Sequence, residues 1–138
     1  MIALDTNAIV RVLTEDDEIQ AKAVQAIIKN AETNGRRLLI LSEVVIETVW
    51  VLESVYQCSR EEIAVFIESL LAAPTFYLPD ATVIRKATHQ YRNQGDFADL
   101  LIVGQVHKHQ AKKLFTFDRT LQKRFPDFAT ESLLPIDD

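Results

Sequence analysis

The sequence contains few of the residues that would indicate a disulfide framework, a thiolate metal site or a membrane span. Its 138 residues include one cysteine, Cys58, which excludes an internal disulfide and a cysteine-rich zinc site. No apolar run approaches the roughly 18–20 residues that a membrane-spanning helix needs, and the residues after Met1 do not read as a signal peptide. We therefore expect a cytoplasmic protein with no membrane contact.

Glycine, proline and histidine are also scarce, and no repeat, low-complexity segment or linker divides the chain. His89, His107 and His109 are too few and too scattered for histidine-based chemistry, and we expect all three on the surface. The hydrophobic content of 48% is enough for a full core. Residues 1–138 are therefore predicted to form one domain.

Charge is distributed unevenly around a net value of −5. Residues 1–80 carry six basic and 13 acidic side chains, whereas residues 81–125 carry nine basic and three acidic ones. A basic section of this kind suits a polyanionic substrate. The alternative is a set of solvated helix faces with no binding role.

Short apolar runs alternate with segments of helical periodicity along the whole chain. Strands are predicted at residues 2–4, 38–41, 76–78 and 113–117, with a weak edge strand between Phe128 and Ile136. The intervening segments are predicted to be helices, with N-caps that include Ser42, Ser59 and Asp80. This alternation predicts an α/β sandwich with a mostly parallel sheet.

Four acidic residues stand where hydrophobic sequence would otherwise continue: Asp5, Glu47, Asp99 and Asp118. An ionised carboxylate beside apolar packing is costly unless it is compensated, and no matching set of lysines or arginines lies in the same segments. A hard divalent cation is the natural compensator for several carboxylates. The pattern therefore predicts a Mg²⁺ or Mn²⁺ site, with oxygen ligands that suit both ions equally.

Parallel topology predicts that these four carboxylates meet at one edge of the sheet. Ligands bind beyond the carboxyl ends of parallel strands, and Asp5 and Asp118 each follow a predicted strand directly. Asp99 lies in the first turn of a helix that begins at this edge. Glu47 lies further along its helix, but its side chain leans back toward the helix N-terminus.

Each acid also has a purely structural interpretation. Asp5 and Asp118 are suited to be N-caps of the helices that follow them. Asp99 is favoured in a first helical turn by the helix dipole, behind Asp96 as N-cap. Glu47 would then share the solvent-facing stripe of its helix, together with Glu43 and Thr48.

Taken in order, these segments resemble the PIN-domain ribonucleases, and the VapC-like toxins of toxin–antitoxin pairs in particular. The resemblance covers essentially the whole chain and rests on segments 4–7, 45–52, 96–99 and 116–118. It implies a three-layer α/β/α sandwich with a mostly parallel sheet of four to five strands. It also implies a Mg²⁺- or Mn²⁺-dependent endoribonuclease that is inhibited by a VapB-like antitoxin and forms a homodimer.

The resemblance assigns roles to individual residues. Asp5, Glu47, Asp99 and Asp118 match the catalytic, metal-binding acids of the family, and Asp96 matches an accessory acid. Thr6 and Asn7 match polar residues after the first acid, and Thr116 matches a hydroxyl that hydrogen-bonds in the site. The expected RNA path is the basic section, with contacts from Arg85, Arg92, Lys112, Lys113 and Arg119. The low isoelectric point, about 5.2, is a mild departure for an RNA enzyme.

Other classes of protein fit the pattern less well. A haloacid dehalogenase-type phosphatase needs a second acid two residues after the first, where this chain has Asn7. A phosphoacceptor receiver domain needs paired acids near strand one and a lysine after its last strand, and neither is suitably placed. A PIN-like scaffold that only binds a protein partner is the alternative that stays open.

Overall fold

Residues 1–132 are described in a computed structural model, and within them short strands alternate with helices. The elements are β1 Ile2–Ala3, α1 Thr6–Thr14, α2 Glu18–Thr33, β2 Leu38–Leu39, α3 Ser42–Ser54, α4 Arg60–Ala72, β3 Phe76–Tyr77, α5 Ala81–Tyr91, α6 Phe97–Lys108, β4 Leu114–Phe115, α7 Arg119–Arg124 and β5 Ala129–Thr130. This order confirms the predicted alternation. The predicted edge strand is present as β5, and the part of that prediction at 133–136 lies outside the described residues. None of the helices described is long and apolar enough to cross a membrane.

The five strands found within residues 1–132 are all parallel to their neighbours, in line with the predicted mostly parallel sheet, but they form two ladders rather than one. The first has the order β1-β2-β3, with Ile2 beside Leu38 and Leu39 beside Tyr77. The second pairs β4 with β5. Each strand contributes only two residues to its ladder.

Two hydrophobic cores follow this division, and α6 contributes to both. The larger core packs around fully buried residues of α3, α4 and α5. The smaller core consists of Val103, Leu121, Phe128 and Ala129. Helix α6 places Leu100 and Leu101 in the larger core and Val103 in the smaller one. This helix, which begins close to Asp99, therefore joins the two parts of the fold.

Capping side chains determine where most of the described helices begin. Hydrogen bonds from helix-start amides are accepted by the side chains of Asp5, Asp17, Ser59, Asp96 and Asp118. The predicted cap Ser42 is wrong, because Leu41 is the N-cap of α3. Asp80 is the N-cap residue of α5 as predicted, but its side chain makes no hydrogen bond to the start of the helix. Ser42 is the first residue of α3, and the Asp80 carboxylate accepts instead from Lys108 Nζ at 3.2 Å.

Candidate active site

Three of the site acids are N-cap residues, and each is hydrogen-bonded to the start of the helix that follows it. Asp5, Asp96 and Asp118 each accept a hydrogen bond from the backbone N–H three residues later, at 2.9, 3.0 and 3.0 Å respectively. The structural interpretation of these residues as N-caps is therefore confirmed. Each cap uses one carboxylate oxygen, which leaves the second oxygen available to a cation. Capping thus fixes the orientation of each carboxylate and uses only one of its two oxygens.

Among the five candidate site acids, Asp99 is the one whose pKa the fold clearly shifts. Its side chain is half-buried in the first turn of α6. Burial raises the pKa of the Asp99 carboxyl, and the negative charges of Asp96 and Asp118 raise it further. Across residues 1–132, none of these three acids has an ion pair with a basic side chain. Asp96, Asp99 and Asp118 therefore form a cluster of like charge, which we call the acid cluster.

The other two site acids lie in the open. Asp5 and Glu47 are exposed, and so is Asp118, so the cost of burial that the apolar sequence suggested applies to Asp99 alone. The side chain of Glu47 has no hydrogen bond or ion pair within the described part of the chain. The expectation that Thr48 shares its solvent-facing stripe is wrong. Thr48 is 3% exposed and lies on the buried face of α3.

The five acids do not form a coordination shell in this structure. Helix α3, which carries Glu47, packs against α1, which follows Asp5, and against α6, which carries Asp99. Even so, no three acidic, histidine or cysteine side chains within residues 1–132 lie close enough together to hold one metal ion. Mutual repulsion between carboxylates opposes such an approach when no cation is present. The convergence of all four main acids on a single ion stays a prediction.

The supporting polar residues occupy distinct positions. Thr116 Oγ1 accepts a hydrogen bond from the Asp118 backbone N–H at 3.0 Å, and the role of Thr116 in the site stays a prediction. Thr6 is 5% exposed, and its hydroxyl has no hydrogen-bond partner among the described residues. Asn7 is exposed. The Thr116 hydroxyl thus helps to fix the turn that presents Asp118.

Arg92 has two carboxylate partners and is the weakest of the five RNA-contact candidates. Its guanidinium forms ion pairs with Glu61 at 2.9 Å and Glu68 at 2.5 Å. These hydrogen bonds raise the pKa of Arg92 and lower those of Glu61 and Glu68. Because its charge is already compensated, Arg92 has little left to offer a phosphate.

The remaining basic candidates differ in their partners. Arg85, Lys112 and Arg119 are exposed and have no ion pair or side-chain hydrogen bond in the region that the structure describes. Lys113 donates a hydrogen bond from Nζ to the backbone carbonyl of Asp127 at 2.7 Å. The first three are therefore free to bind an anion. The predicted surface location of the three histidines is also confirmed.

Sequence reasoning missed two features near the site. The first is Thr48, whose buried hydroxyl has no partner among residues 1–132. The second is a pair of arginines, Arg60 and Arg124, that bind the loop preceding Asp96. The sequence offers one signal for this pair, which is Gly95 in that loop, because a glycine often permits the close approach of another group.

Comparison with known proteins identifies the family of the chain. The profile of the PIN domain family matches residues 2–126, so the chain belongs to the PIN domain family. The chain is also similar to a VapC ribonuclease from Aquifex aeolicus (strain VF5), with 29% identity over 124 residues that cover 89% of this chain and 91% of that relative. No solved structure gave a match. The family resemblance of the sequence, including its likeness to VapC-type members, is confirmed.

Proposed function

We propose that this protein is a cytoplasmic, metal-dependent endoribonuclease that acts as the toxin of a toxin–antitoxin pair. Membership of the PIN domain family and similarity to a VapC ribonuclease support this function. The observation that carries it is the acid cluster, in which burial and then the like charges of Asp96 and Asp118 raise the pKa of Asp99. None of the three acids is paired with a basic side chain among the described residues. Such an arrangement is unfavourable for stability alone and suits the binding of a cation.

The donor set fits Mg²⁺ or Mn²⁺, because all of its ligands are hard carboxylate oxygens. We propose that Asp5, Glu47, Asp99 and Asp118 hold the ion, with Asp96 as an accessory ligand. A bound ion of this kind supplies an activated water and stabilises negative charge on phosphate oxygens. The chain's own residues prepare the site: three caps orient carboxylates, and the Thr116 hydroxyl fixes the approach to Asp118.

RNA is the proposed substrate, and the exposed basic residues are the proposed contacts. Arg85, Lys112 and Arg119 carry uncompensated charge suited to the phosphate backbone. Lys113 and Arg92 belong to the same basic section but already have partners.

A VapB-like antitoxin is the proposed regulator of the activity. An arginine or lysine of its tail would compensate the same acids as the metal, so antitoxin and metal should compete. A homodimer is proposed through α3 and α4, where Trp50 is 63% exposed and Val65 is 51% exposed. Co-purification with the product of the adjacent reading frame, followed by metal competition and mass measurement in solution, tests these partners.

The central experiment is cleavage of total RNA by the purified protein with Mg²⁺ or Mn²⁺, with EDTA, and with an Asp99→Asn variant prepared in parallel. The proposal requires cleavage that EDTA abolishes and that the variant lacks. The variant also controls for contaminating ribonucleases, which would be equally abundant in both preparations.

A non-catalytic scaffold is the competing function, and one observation favours it. The capping bonds alone explain why Asp5, Asp96 and Asp118 are present, without any metal. A folded wild-type protein that cleaves no RNA at any metal concentration but binds a neighbour-encoded protein would establish the scaffold instead.

A further inference from the structure

The loop between α5 and α6, residues 92–95, leads directly into the acids of α6 and is held by two arginines from other helices. Arg60, the first residue of α4, donates hydrogen bonds from Nη1 to the carbonyls of Tyr91 and Gly95, at 2.9 and 2.8 Å. Arg124, the last residue of α7, donates from Nη2 to the carbonyl of residue 94 at 2.7 Å. We call Arg60 and Arg124 the arginine clamp.

Gly95 lies directly against the guanidinium of Arg124. Its φ of +107° is a conformation that residues with a side chain rarely adopt. A Cβ atom built at this position would lie 2.9 Å from Nη1 of Arg124 and 3.0 Å from its Cζ. The guanidinium therefore rests directly against the loop backbone.

The base of the loop is fixed by aromatic packing. Tyr91 ends α5 and Phe97 begins α6, and their rings meet edge to face with centroids 5.7 Å apart. The Arg60 guanidinium lies over the Tyr91 ring, 4.6 Å from its centroid. The Tyr91 hydroxyl donates to Glu53 at 2.5 Å. The loop is thus held at its base by two rings and along its backbone by the clamp.

We infer that Arg60 and Arg124 are positioning residues that set the spacing of the acid cluster; this inference rests on the proposed function. Helix α7 follows its N-cap Asp118 and ends at Arg124. This short helix therefore has a site acid at its start, and the arginine at its end bonds the loop that precedes Asp96 and Asp99. Hydrogen bonds from a guanidinium are stronger than those between neutral groups. The clamp therefore ties Asp118 to Asp96 and Asp99 through α7.

The sign of the effect separates positioning from simple electrostatics. Removing a positive charge near an acidic site should strengthen cation binding if charge alone matters, because a repulsive interaction is lost. Removing a positioning residue should weaken cation binding, because the ligands lose their mutual geometry. The two accounts predict opposite changes in the metal requirement.

The experiment compares wild type, Arg60→Met, Arg124→Met, the double variant and Arg124→Lys, with Arg36→Met as control. Arg36 is exposed and precedes β2, at the end of the strands opposite to Asp5. Three quantities are measured: hydrogen exchange of the amides at 93–99, the Mn²⁺ concentration for half-maximal RNA cleavage, and kcat and KM for RNA. Mn²⁺ binding is measured separately by its effect on solvent-water relaxation, which needs no catalysis.

The double variant should exchange the amides at 93–99 at least about tenfold faster and need about 10–100 times more Mn²⁺, as for other residues that orient metal ligands. KM for RNA should hardly change, and Arg124→Lys should recover part of the loss because it still donates to one carbonyl. Arg36→Met should behave as wild type. If the double variant does not fold, each single variant should show the same changes in smaller degree.

Unchanged exchange at 93–99 would overturn the clamp, and so would tighter or unaltered Mn²⁺ binding in a variant whose loop exchanges faster. A wild type without nuclease activity would refute the proposed function only. The exchange and water-relaxation measurements would then still decide whether the clamp orders the loop and its acids.

Discussion

Two groups of carboxylates in this molecule have opposite surroundings. In the first, Glu61 and Glu68 flank Arg92, and hydrogen bonds from its guanidinium lower the pKa of both acids. We call this group the paired cluster. In the acid cluster, burial and neighbouring negative charge raise the pKa of Asp99 instead.

The difference shows which group of carboxylates already has a positive charge to compensate it. In the paired cluster the positive charge is the guanidinium of Arg92. Exposed ion pairs of this kind contribute little to stability. The acid cluster is held by helix caps in an arrangement that its own charges oppose, and the described residues supply no paired cation for it. Strain of this electrostatic kind at a strand-end site is typical of a place where a ligand binds.

The largest expected effect is on cleavage. Asp99→Asn should reduce RNA cleavage by more than about 100-fold, since even residues that only orient metal ligands account for 10–100-fold. Glu68→Gln, in the paired cluster, should leave the rate at saturating RNA within about twofold. Rates measured at saturating Mn²⁺ on a defined RNA decide this, and near-wild-type cleavage by Asp99→Asn would remove the metal-site assignment.

Metal should stabilise the fold through the acid cluster and not through the paired cluster. At about ten times its dissociation constant, Mn²⁺ should raise the Tm by roughly 3–6 °C. Asp118→Asn should lose most of this shift while keeping its helix cap, because asparagine caps helices as well as aspartate does. Glu68→Gln should keep the shift in full. Thermal unfolding with and without EDTA gives the answer, and an equal shift in both variants would contradict the assignment.

The two clusters should respond to pH with opposite sign. Asp99 binds its proton more tightly in the folded state, so its contribution to the free energy of unfolding falls as pH rises from its ordinary value of 3.8 through its raised pKa. The stability gained by Asp99→Asn over wild type should therefore grow between pH 4 and pH 7. The pKa of Glu68 is lowered from its ordinary value of 4.5, so the stability lost by Glu68→Gln should shrink as pH falls below that value. Urea unfolding from about pH 3 to pH 7 tests both slopes, and a flat difference for Asp99→Asn would refute the raised pKa of Asp99.

The smallest expected effect concerns Arg92 and RNA. Replacing Arg85, Lys112 and Arg119 together by glutamine should reduce the slope of log K for RNA binding against log salt concentration by about 2. Each contact with single-stranded RNA contributes about 0.7 to the magnitude of this slope. Arg92→Gln should change that slope by clearly less than about 0.7, because its charge is already compensated. Binding titrations over a range of salt, with Asp99→Asn proteins to prevent cleavage, measure both. A full-sized change for Arg92 would show that RNA displaces Glu61 and Glu68.

Much of this fold could be predicted because local sequence determines it. The alternation of strands and helices follows from hydrophobic periodicity, and the capping box of Ser59 and Glu62 is visible in the sequence and present in the structure. Ser42 and Asp80 looked equally suitable as caps. Ser42 lies inside α3, and Asp80 is the N-cap residue of α5 but bonds Lys108 through its side chain. Lys108 is 28 positions away, and no local pattern identifies it.

The candidate site could be predicted as a set of residues but not as an arrangement. Apolar flanks indicated the four main acids, but they did not reveal that Asp5, Glu47 and Asp118 are exposed and only Asp99 is half-buried. Burial and partners depend on how helices pack, and this is why the pairing of Arg92 and the burial of Thr48 were missed. The arginine clamp was missed for the same reason, because Arg60 and Arg124 meet the loop only in the folded chain.

The division of the strands into two ladders has a consequence for how the molecule opens. Within residues 1–132 the β4–β5 ladder shares no backbone hydrogen bond with the β1–β3 ladder, and its core is small. Regions with few buried contacts unfold locally at a lower free energy than the whole domain does. The unit formed by β4, α7 and β5 should therefore detach as a cooperative piece while the larger core stays folded. Asp118 belongs to this unit and Asp5 does not, so partial opening would disassemble the candidate site long before the protein unfolds.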